Sequence, residues 1–251
     1  MKVSVITVSY NSADTIDATI NSVLSQTYSN IEYIIIDGKS KDNTMDIVNK
    51  YKDRISCVVS EPDKGIYDAM NKGVALATGD IVGILNSDDF YADNNVIDDV
   101  VKKFEDTGCD ALYADLVYVK RDEIEQVIRT WSAGEYFPGR FLHGWMPPHP
   151  TFFVKKSLYN KLGNYNTSLR SAADYELMLR FIHKHRIGLT YLPRIITKMR
   201  SGGQSNVSLR NRLKANMEDR AAWRMNDIKP SWYTLTWKPL SKVFQYLRKT
   251  K

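Results

Sequence analysis

Two adjacent carboxylates, Asp88 and Asp89, directly follow a short apolar run at 81–85. A run of this length is typical of a buried strand, and in an open α/β sheet ligands collect beyond the carboxyl ends of the strands. Carboxylate oxygens are ligands that Mg²⁺ and Mn²⁺ prefer. The pair therefore indicates the floor of an active site that holds a divalent metal and a charged nucleotide. Taken alone, the pair is equally typical of a turn, because aspartate often opens a loop.

Polar and acidic residues also follow three other apolar runs of the first half, at Tyr10-Asn11, Asp37 and Asp63. Several carboxylates at one sheet edge repel one another unless a cation or a ligand with hydrogen-bond donors lies among them. Four such strand ends favour a metal–nucleotide site over a set of independent turns. The chain has no G-x-G-x-x-G after its first strand and no G-x-x-x-x-G-K-[ST], so neither common nucleotide-binding loop is predicted.

The elements that must position these residues follow from periodicity. Predicted strands at 3–8, 31–36, 55–59 and 81–85 alternate with segments in which apolar residues recur at helical spacing. Such alternation predicts a Rossmann-like, mostly parallel sheet with right-handed crossovers and flanking helices.

The second half has a different pattern. Strand-like segments at 111–119 and 125–131, joined by a charged stretch, predict an antiparallel hairpin. We therefore expect one α/β domain with two lobes, a nucleotide-binding half at 1–110 and a second half at 111–226, followed by a basic tail at 227–251.

Composition places the chain among globular proteins, since 43% of its 251 residues are hydrophobic and 25% are charged. The net charge of +6 is concentrated after Asp227, where six basic residues and no acidic ones occur. Cys57 and Cys109 show no disulfide or zinc spacing and are predicted to be reduced core thiols. The first apolar run is too short for a signal peptide, and no run has the length of a transmembrane helix. We expect a cytoplasmic protein.

Four ordered stretches resemble the motifs of family 2 glycosyltransferases, which have the GT-A fold. They are V-S-V-I-T-V-S-Y-N at 3–11, D-G-K-S-K-D-N-T at 37–44, S-E-P-D-K-G-I-Y-D-A-M-N-K-G at 60–73 and N-S-D-D at 86–89. The last is similar to the family's D-x-D region. The resemblance covers residues 1–205 and is greatest to enzymes that build bacterial capsular, colanic-acid-type and other exopolysaccharides. It implies a metal-dependent hexosyltransferase whose second half is an acceptor lobe.

The resemblance implies that Tyr10 lies against the nucleotide base, that Asp37 lies in the nucleotide pocket and that Asp88 approaches the ribose. Asp89, with Asp88, is implied to hold the Mg²⁺ or Mn²⁺ that bridges the diphosphate of the donor. The other nucleotide-binding residues implied by the motifs are Thr7, Asn11, Asp68, Lys72 and Asn86.

Two positions depart from the family pattern. Asn86 replaces the first acid of D-x-D, so metal ligation is expected to rest on Asp89. Gly38 stands where many members have a second aspartate that reads the base, which leaves the choice between uridine and guanosine open. A UDP-sugar is the favoured donor and a GDP-sugar the second.

Asp174 is predicted to be the general base. It heads the apolar stripe of a predicted helix that includes Leu177 and Phe181. From the residues alone, an aspartate near a helix start is more often a cap or a dipole partner. The resemblance implies the family's ED-type motif, with Ala173 in place of the usual first acid. One base suits an inverting displacement, in which Asp174 takes a proton from the attacking acceptor hydroxyl.

His149, Arg180 and Arg200 are implied to lie near the acceptor or the diphosphate, although a surface-turn histidine fits position 149 equally well. The glycine-containing stretch at 200–205 resembles a loop that closes over the diphosphate, and it also suits a plain turn. The remaining histidines are predicted to be structural: His143, His183 and His185.

The tail at 229–251 combines basic residues with an apolar stripe of Leu240, Val243, Phe244 and Leu247. This pattern is typical of an interfacial helix on anionic lipid, and equally of an amphipathic helix packed on the domain. Lipid docking suits the implied acceptor, a glycan or a polyprenyl-linked glycan, and a peripheral position on the inner face of the plasma membrane.

Two other classes of function remain as alternatives. A nucleic-acid-binding module is favoured by the pI near 9.1 but disfavoured by the strand-end acids, which repel a phosphate backbone, so no nucleic-acid partner is expected. A sugar nucleotidyltransferase would also use a metal and a sugar nucleotide. It should have a glycine-rich, basic first loop, and Ser9-Tyr10-Asn11-Ser12 is neither.

Overall fold

The computed structural model describes residues 1–202, 209–231, 233 and 234, with residues 209–216 described by their backbone alone. The helices are α1 (Ile16–Leu24), α2 (Thr44–Asn49), α3 (Ile66–Leu76), α4 (Val96–Thr107), α5 (Lys156–Leu162), α6 (Ala173–Met178) and α7 (Leu209–Met225). The strands are β1 (Val3–Ser9), β2 (Ile31–Asp37), β3 (Cys57–Ser60), β4 (Ile81–Ile84), β5 (Asp89–Tyr91), β6 (Ala111–Val119), β7 (Val127–Trp131), β8 (Phe153–Lys155) and β9 (Leu189–Arg200). Short 3₁₀ turns lie at Lys52–Arg54, Arg140–His143 and His149–Thr151.

The first half forms a parallel sheet in the order β3-β2-β1-β4. Strands β1, β2 and β3 are each followed by a helix that returns the chain to the opposite end of the sheet, as the alternating pattern predicts, whereas β4 is followed directly by β5. All four strands therefore end at one edge, which brings together the residues that follow them.

The second half extends the same sheet with mixed strand directions. Strand β8 runs antiparallel to β4 and to β6, and the predicted hairpin is present as the antiparallel pair β6–β7. Strand β9 runs parallel to β6 and antiparallel to β5. The described chain thus builds one continuous sheet, parallel in its first half and mixed in its second.

Core residues cover both faces of the sheet, which explains why its strands are nearly continuous apolar runs. Along β1, Val3 and Val5 face the cluster formed with α1, α2 and α4, whereas Ile6 and Val8 face the cluster formed with α3, α5 and α6. Gly83 in β4 permits close packing, because a Cβ there would lie 2.4 Å from a ring carbon of Phe153.

The helix that carries the predicted base is short. Helix α6 covers Ala173–Met178 and continues directly into a π-helical segment, Leu179–Lys184. Helix α7 packs against α6 and buries Ala222 and Trp223. Trp223 also packs on His183, consistent with a structural role for that histidine.

The structure also describes the two cysteines and the apolar character of the helices. Both cysteines are free, as predicted. Within the described part of the chain, no helix has the length and the apolar character that crossing a bilayer requires.

Candidate active site

The parallel register places the strand ends in a row. Ser9 pairs with Asp37 and Asp37 pairs with Ser60, so the last residues of β1, β2 and β3 lie side by side. Tyr10, the residue after β1, is 52% exposed and presents its ring to solvent above this row. A ring in such a position can stack on a nucleobase.

Asp37 does not face the pocket, which corrects its predicted contact with the nucleotide. Asp37 is fully buried, and its carboxylate accepts four hydrogen bonds. Oδ1 accepts from the hydroxyls of Ser9 and Ser40, and Oδ2 accepts from the Ser40 amide and the Ser60 hydroxyl. These donors occupy the lone pairs of the carboxylate, so Asp37 organises the strand-end loops.

Asp63, one of the strand-end acids that the sequence indicated, lies near the Tyr10 ring and next to Gly38. A Cβ added to Gly38 would lie 2.4 Å from Asp63 Oδ2 and 3.3 Å from Tyr10 Cδ2. Gly38 therefore leaves room for the Asp63 carboxylate beside the exposed ring. Asp63 Oδ1 accepts the Gly65 amide at 2.8 Å, which fixes the carboxylate.

Lys72 and Asp68 hold the loop that carries Asp63. The Lys72 ammonium donates to Glu61 at 2.8 Å and to the Pro62 carbonyl at 2.9 Å, and it lies 3.8 Å from Asp68. Its hydrogen bond to Glu61 raises the pKa of Lys72. Asp68 also accepts the Lys64 amide. Both residues therefore support the loop that carries Asp63.

Asn11 lies in the loops at the strand ends, whereas Thr7 lies inside the core. Asn11 has a φ of 49° at the end of β1, and its side chain accepts the Lys41 amide, which ties β1 to the loop after β2. Thr7 is fully buried and its hydroxyl lies 3.1 Å from the Tyr33 hydroxyl, inside the core. The predicted nucleotide contact of the Thr7 side chain is therefore wrong.

Asp89 is a fully buried carboxylate with an incomplete set of partners. Oδ2 accepts from Asn86 Nδ2 at 3.2 Å, whereas Oδ1 has no hydrogen-bond partner. Asn86 Oδ1 is also buried without a partner. Burial first, and then the charge of Asp88, raise the pKa of Asp89 well above its usual range. Unpartnered buried oxygens of this kind call for a donor or a cation.

The donor set fits a divalent cation only in part. Carboxylate and amide oxygens suit Mg²⁺ or Mn²⁺, and Asp89 Oδ1 and Asn86 Oδ1 are the oxygens that would hold it. No group of three or more His, Cys, Asp or Glu side chains able to bind a metal occurs among the described residues. A cation here would therefore complete its coordination with substrate oxygens or water, which is common for Mg²⁺.

Arg200 lies beside this loop. The residue is 6% exposed, its guanidinium donates to the Asp88 carbonyl at 2.8 Å, and it lies over the ring of Phe90. Burial lowers the pKa of Arg200, and the charges of Asp88 and Asp89 oppose that shift. Arg200 thus positions the loop and adds positive charge next to Asp89. Gly203, Gln204 and Ser205, the rest of the predicted closing loop, lie outside the described residues.

Asp174 lies at the first turn of α6 with its side chain 18% exposed. Oδ1 accepts from the Tyr67 hydroxyl at 3.1 Å, and Oδ2 lies 3.5 Å from His149 Nδ1. Burial, together with the Asp174 carboxylate, raises the pKa of Tyr67, so Tyr67 acts as a hydrogen-bond donor. Both contacts come from outside α6, which is unlike a simple helix cap.

The His149 ring lies between Asp174 and Asn86. Its Nε2 lies 3.2 Å from Asn86 Nδ2, on the side of the ring opposite to Asp174. Burial lowers the pKa of His149, although Asp174 and Asp88 oppose that shift. The sequence indicated neither of these two contacts, and the place of His149 near the acceptor or the diphosphate stays a prediction.

Arg180 is a structural residue, which corrects its predicted place near the acceptor or diphosphate. Its guanidinium donates to both oxygens of the buried Glu176 and to the carbonyls of Leu162, Gly163 and Asn164. These contacts use all five N–H donors of the guanidinium. Arg180 therefore has no donor left for a phosphate.

Helix α7 and the residue that follows it hold the segment that carries the predicted base. Glu218 accepts the amides of Arg170 and Ser171 and the Ser171 hydroxyl, just before α6. Asn226 donates to Glu176 at 2.9 Å, within α6. No sequence motif indicated these contacts, because they join residues that are about 50 positions apart.

The described start of the tail packs on the domain. Thr234 is fully buried and its hydroxyl donates to the Leu142 carbonyl at 2.6 Å. The predicted stripe of Leu240, Val243, Phe244 and Leu247 lies outside the described residues.

The sequence from residue 4 to residue 171 matches the family model described as Glycosyl transferase family 2. The chain belongs to this family. This family 2 glycosyltransferase is 34% identical to an uncharacterized glycosyltransferase of Mycobacterium tuberculosis, over 71% of this chain and 68% of the relative. It is 46% identical over 95 residues, 38% of each chain, to Escherichia coli WfaP, a UDP-Glc:alpha-D-GlcNAc-diphosphoundecaprenol beta-1,3-glucosyltransferase.

The predicted GT-A fold is confirmed by solved structures. The mannosyltransferase PcManGT from Pyrobaculum calidifontis, in complex with GDP-Man and Mn²⁺, matches this family 2 glycosyltransferase with a TM-score of 0.64 at 18% identity. The match covers 100% of this chain and 76% of that one. The prediction of a family 2 glycosyltransferase is thereby confirmed in both sequence and fold.

Proposed function

We propose that this enzyme moves a sugar from a nucleotide-sugar donor to a hydroxyl of a glycan acceptor, with inversion at the anomeric carbon. Asp174 is the proposed general base. The observation that carries the proposal is the position of its carboxylate, which contacts His149, while His149 contacts Asn86 beside Asp89. The base and the metal-side carboxylate thus stand at opposite ends of one short series of contacts.

The nucleobase is proposed to stack on Tyr10 and to meet Asp63. A carboxylate only accepts hydrogen bonds, so Asp63 suits a base with a ring N–H, which uracil and guanine have and adenine and cytosine lack. A UDP-sugar is the favoured donor and a GDP-sugar the second. Named relatives and neighbours use both kinds, since WfaP takes UDP-Glc and PcManGT was solved with GDP-Man.

The divalent metal, Mg²⁺ or Mn²⁺, is proposed to bind Asp89 and Asn86, and Asp88 is proposed to approach the ribose. The unpartnered oxygens of Asp89 and Asn86 support this placement. When bound, the metal would neutralise charge on the departing nucleoside diphosphate. Arg200 adds a fixed positive charge near the same loop.

Asp174 is proposed to act once in each turnover. It removes the proton from the acceptor hydroxyl as that oxygen attacks the anomeric carbon, and the bond from that carbon to the nucleoside diphosphate breaks on the opposite face. The proton then leaves Asp174 for solvent. Tyr67 and His149 each contact one oxygen of the carboxylate, which fixes its plane for the attack.

The acceptor is proposed to be a glycan, carried in the enzyme's pathway on a polyprenyl diphosphate. The name of WfaP supports this proposal, because it acts on a diphosphoundecaprenol-linked GlcNAc. A basic tail that docks on anionic lipid would bring the enzyme to such an acceptor at the inner face of the plasma membrane. Deleting 235–251, which keeps the packed Thr234, should reduce sedimentation with anionic vesicles. Unchanged sedimentation would leave the tail without a membrane role.

Thermal-shift measurements with UDP-, GDP- and dTDP-sugars, with and without Mn²⁺, test the donor. We expect stabilisation by UDP- or GDP-sugars that increases with Mn²⁺. If no sugar nucleotide stabilises the protein, the proposed transferase function is wrong.

The variant Asp174→Asn tests the base. It should keep donor binding and lose transfer by a factor on the order of 100 or more, because an amide cannot accept the proton. The matched control is Asp46→Asn, a change at an exposed position of α2 that should leave both unchanged. Normal transfer by Asp174→Asn would assign the base to another residue.

A further inference from the structure

The Asn86 side-chain amide lies between two groups. Its Nδ2 is 3.2 Å from Asp89 Oδ2 and 3.2 Å from His149 Nε2. An amide nitrogen carries two hydrogens, so one N–H can serve each neighbour at the same time. An aspartate at this position, as in the usual D-x-D motif, would have no N–H to offer to either.

The His149 ring continues the series. Nδ1 lies 3.5 Å from Asp174 Oδ2. An ionised carboxylate only accepts hydrogen bonds, so Nδ1 carries the hydrogen, and Nε2 then has a lone pair that faces the N–H of Asn86. The neutral Nδ1–H tautomer therefore satisfies both contacts. The resulting series of contacts joins Asp89, Asn86, His149 and Asp174, from the loop before β5 to the first turn of α6.

Two side-chain oxygens of this series have no hydrogen-bond partner and can bind a cation. Asn86 Oδ1 and Asp89 Oδ1 are buried without partners. The Asn86 amide is planar, so a cation that binds its oxygen also fixes the direction of its N–H groups. One of those N–H groups points at His149 Nε2.

We propose that Asn86 and His149 are positioning residues that couple the binding of the donor and its metal at Asp89 to the orientation of the Asp174 carboxylate. The inference rests on the proposed function and explains why this chain has asparagine in place of the first acid of the motif. Donor binding orders Asn86, Asn86 fixes the His149 ring, and the Nδ1–H of His149 holds one oxygen of Asp174. Tyr67 holds the other oxygen independently.

The state of the His149 ring can be observed directly. The chain has only four histidines, so long-range ¹H–¹⁵N spectra of the full chain labelled with ¹⁵N-histidine contain few signals. His149→Gln identifies the His149 signals by their loss. In the free enzyme we expect His149 with Nδ1 protonated and Nε2 unprotonated.

Titration with Mg²⁺ and UDP, or GDP if the thermal-shift panel selects it, then tests the coupling. The Nε2 resonance of His149 should shift along a saturating binding curve, and the dissociation constant of that curve should equal the one found by calorimetry. The resonances of His183, which packs on Trp223, should not shift. In Asn86→Ala, the His149 resonances should stay in place at nucleotide concentrations that calorimetry shows to saturate the variant. No shift in the wild type on binding, or an equal shift in Asn86→Ala, would overturn the coupling.

A second variant covers the case in which Asn86→Ala loses the nucleotide. Asn86→Asp keeps an oxygen but removes both N–H groups, and its new carboxylate can only accept. His149 should then carry a proton on Nε2 in the free enzyme. An unchanged Nδ1–H tautomer with unprotonated Nε2 would overturn the contact, whether or not nucleotide binds. If the wild type binds no nucleotide, the proposed function is wrong. The protonation of His149 in the free Asn86→Asp variant then still tests whether Asn86 contacts His149 in solution.

Discussion

The Tyr67 hydroxyl lies 3.1 Å from Asp174 Oδ1, although 107 positions separate the two residues in the chain. Tyr67 belongs to α3 in the first half of the domain, and Asp174 belongs to α6 in the second half. The orientation of the proposed base therefore depends on both halves of the domain.

Replacing Tyr67 by phenylalanine should lower turnover and leave donor affinity nearly unchanged. The ring keeps its packing against Tyr165, but one oxygen of Asp174 loses its donor. A hydrogen bond to a charged group contributes about 1.5–3 kcal/mol, so kcat should fall roughly ten- to hundredfold. Steady-state kinetics with the donor and acceptor pair found for the wild type gives both constants.

The control is Tyr159→Phe, which removes another buried hydroxyl, one that hydrogen-bonds Tyr165 and not Asp174. It should leave kcat within about twofold of the wild type. Equal losses of kcat in the two variants would mean that Tyr67 acts only through general stability.

Replacing Gly38 by alanine should weaken nucleotide binding. A Cβ at this position would lie 2.4 Å from Asp63 Oδ2, so the carboxylate must move away from the pocket. The φ of Gly38 is not in the left-handed region, so the backbone itself accepts alanine. We expect the dissociation constant of Mg²⁺–UDP or Mg²⁺–GDP to rise about tenfold, since a hydrogen bond to a charged group is worth about 1.5–3 kcal/mol.

A double-mutant cycle separates the clash from the lost acceptor. Asp63→Ala should weaken binding by a similar factor, and Gly38→Ala combined with Asp63→Ala should add little, because both changes act on one carboxylate. Calorimetry of the four proteins measures this. Additive losses would show that Gly38 and Asp63 affect the nucleotide separately.

Much of the parallel half could be predicted, because its strands are apolar runs buried on both faces and its helices have clear periodicity. The same reasoning placed Asp37 correctly at the end of β2 but did not predict the direction of its side chain. Position after a strand predicts the edge of the sheet but not whether the side chain turns outward, and here the hydroxyls of Ser9, Ser40 and Ser60 hold Asp37 inside the loops.

The second half was less predictable, because its important contacts join distant residues. Asp174 was found through a family motif, but its partners, Tyr67 and His149, could be assigned only from the fold. Arg180 shows the converse problem. The family resemblance implied a place near the acceptor or the diphosphate, whereas the carbonyls at the end of α5 and the carboxylate of Glu176 use all of its donors.

The variant Arg180→Met should destabilise the fold without weakening nucleotide binding. It leaves the buried Glu176 carboxylate without its main partner, which typically costs about 3–5 kcal/mol. The combined change with Glu176→Gln should recover part of that loss, because the unpaired charge is removed. Urea unfolding measures stability, and calorimetry measures binding. Unchanged stability with lost binding of Mg²⁺–UDP would instead support a phosphate contact for Arg180.

The carboxylate of Glu32 should make the enzyme more stable above pH 5 than at pH 2 to 3. Burial by itself would raise its pKa, but hydrogen bonds from Lys2, Ser4 and Thr78 lower the pKa of Glu32 to about 2. Because the folded-state pKa lies below the unfolded value near 4.5, this stabilisation is complete above the unfolded value and is lost as the pH falls towards 2. The difference between 4.5 and about 2 corresponds to about 3.5 kcal/mol at roughly 1.4 kcal/mol per pKa unit. Solvent screening of this partly exposed carboxylate reduces the contribution to about 2–3 kcal/mol.

Urea unfolding of the wild type and of Glu32→Gln between pH 2 and pH 7 measures this contribution. The difference in the free energy of unfolding should be largest above pH 5 and should approach zero near pH 2. Glu105→Gln is the matched control, because Glu105 is 57% exposed and lies 3.7 Å from the amino terminus. An exposed pair of this kind contributes about 0–1 kcal/mol, so the control should follow the wild type at every pH. A difference between wild type and Glu32→Gln that does not change with pH would show that Glu32 stabilises the fold by packing and not by its charge.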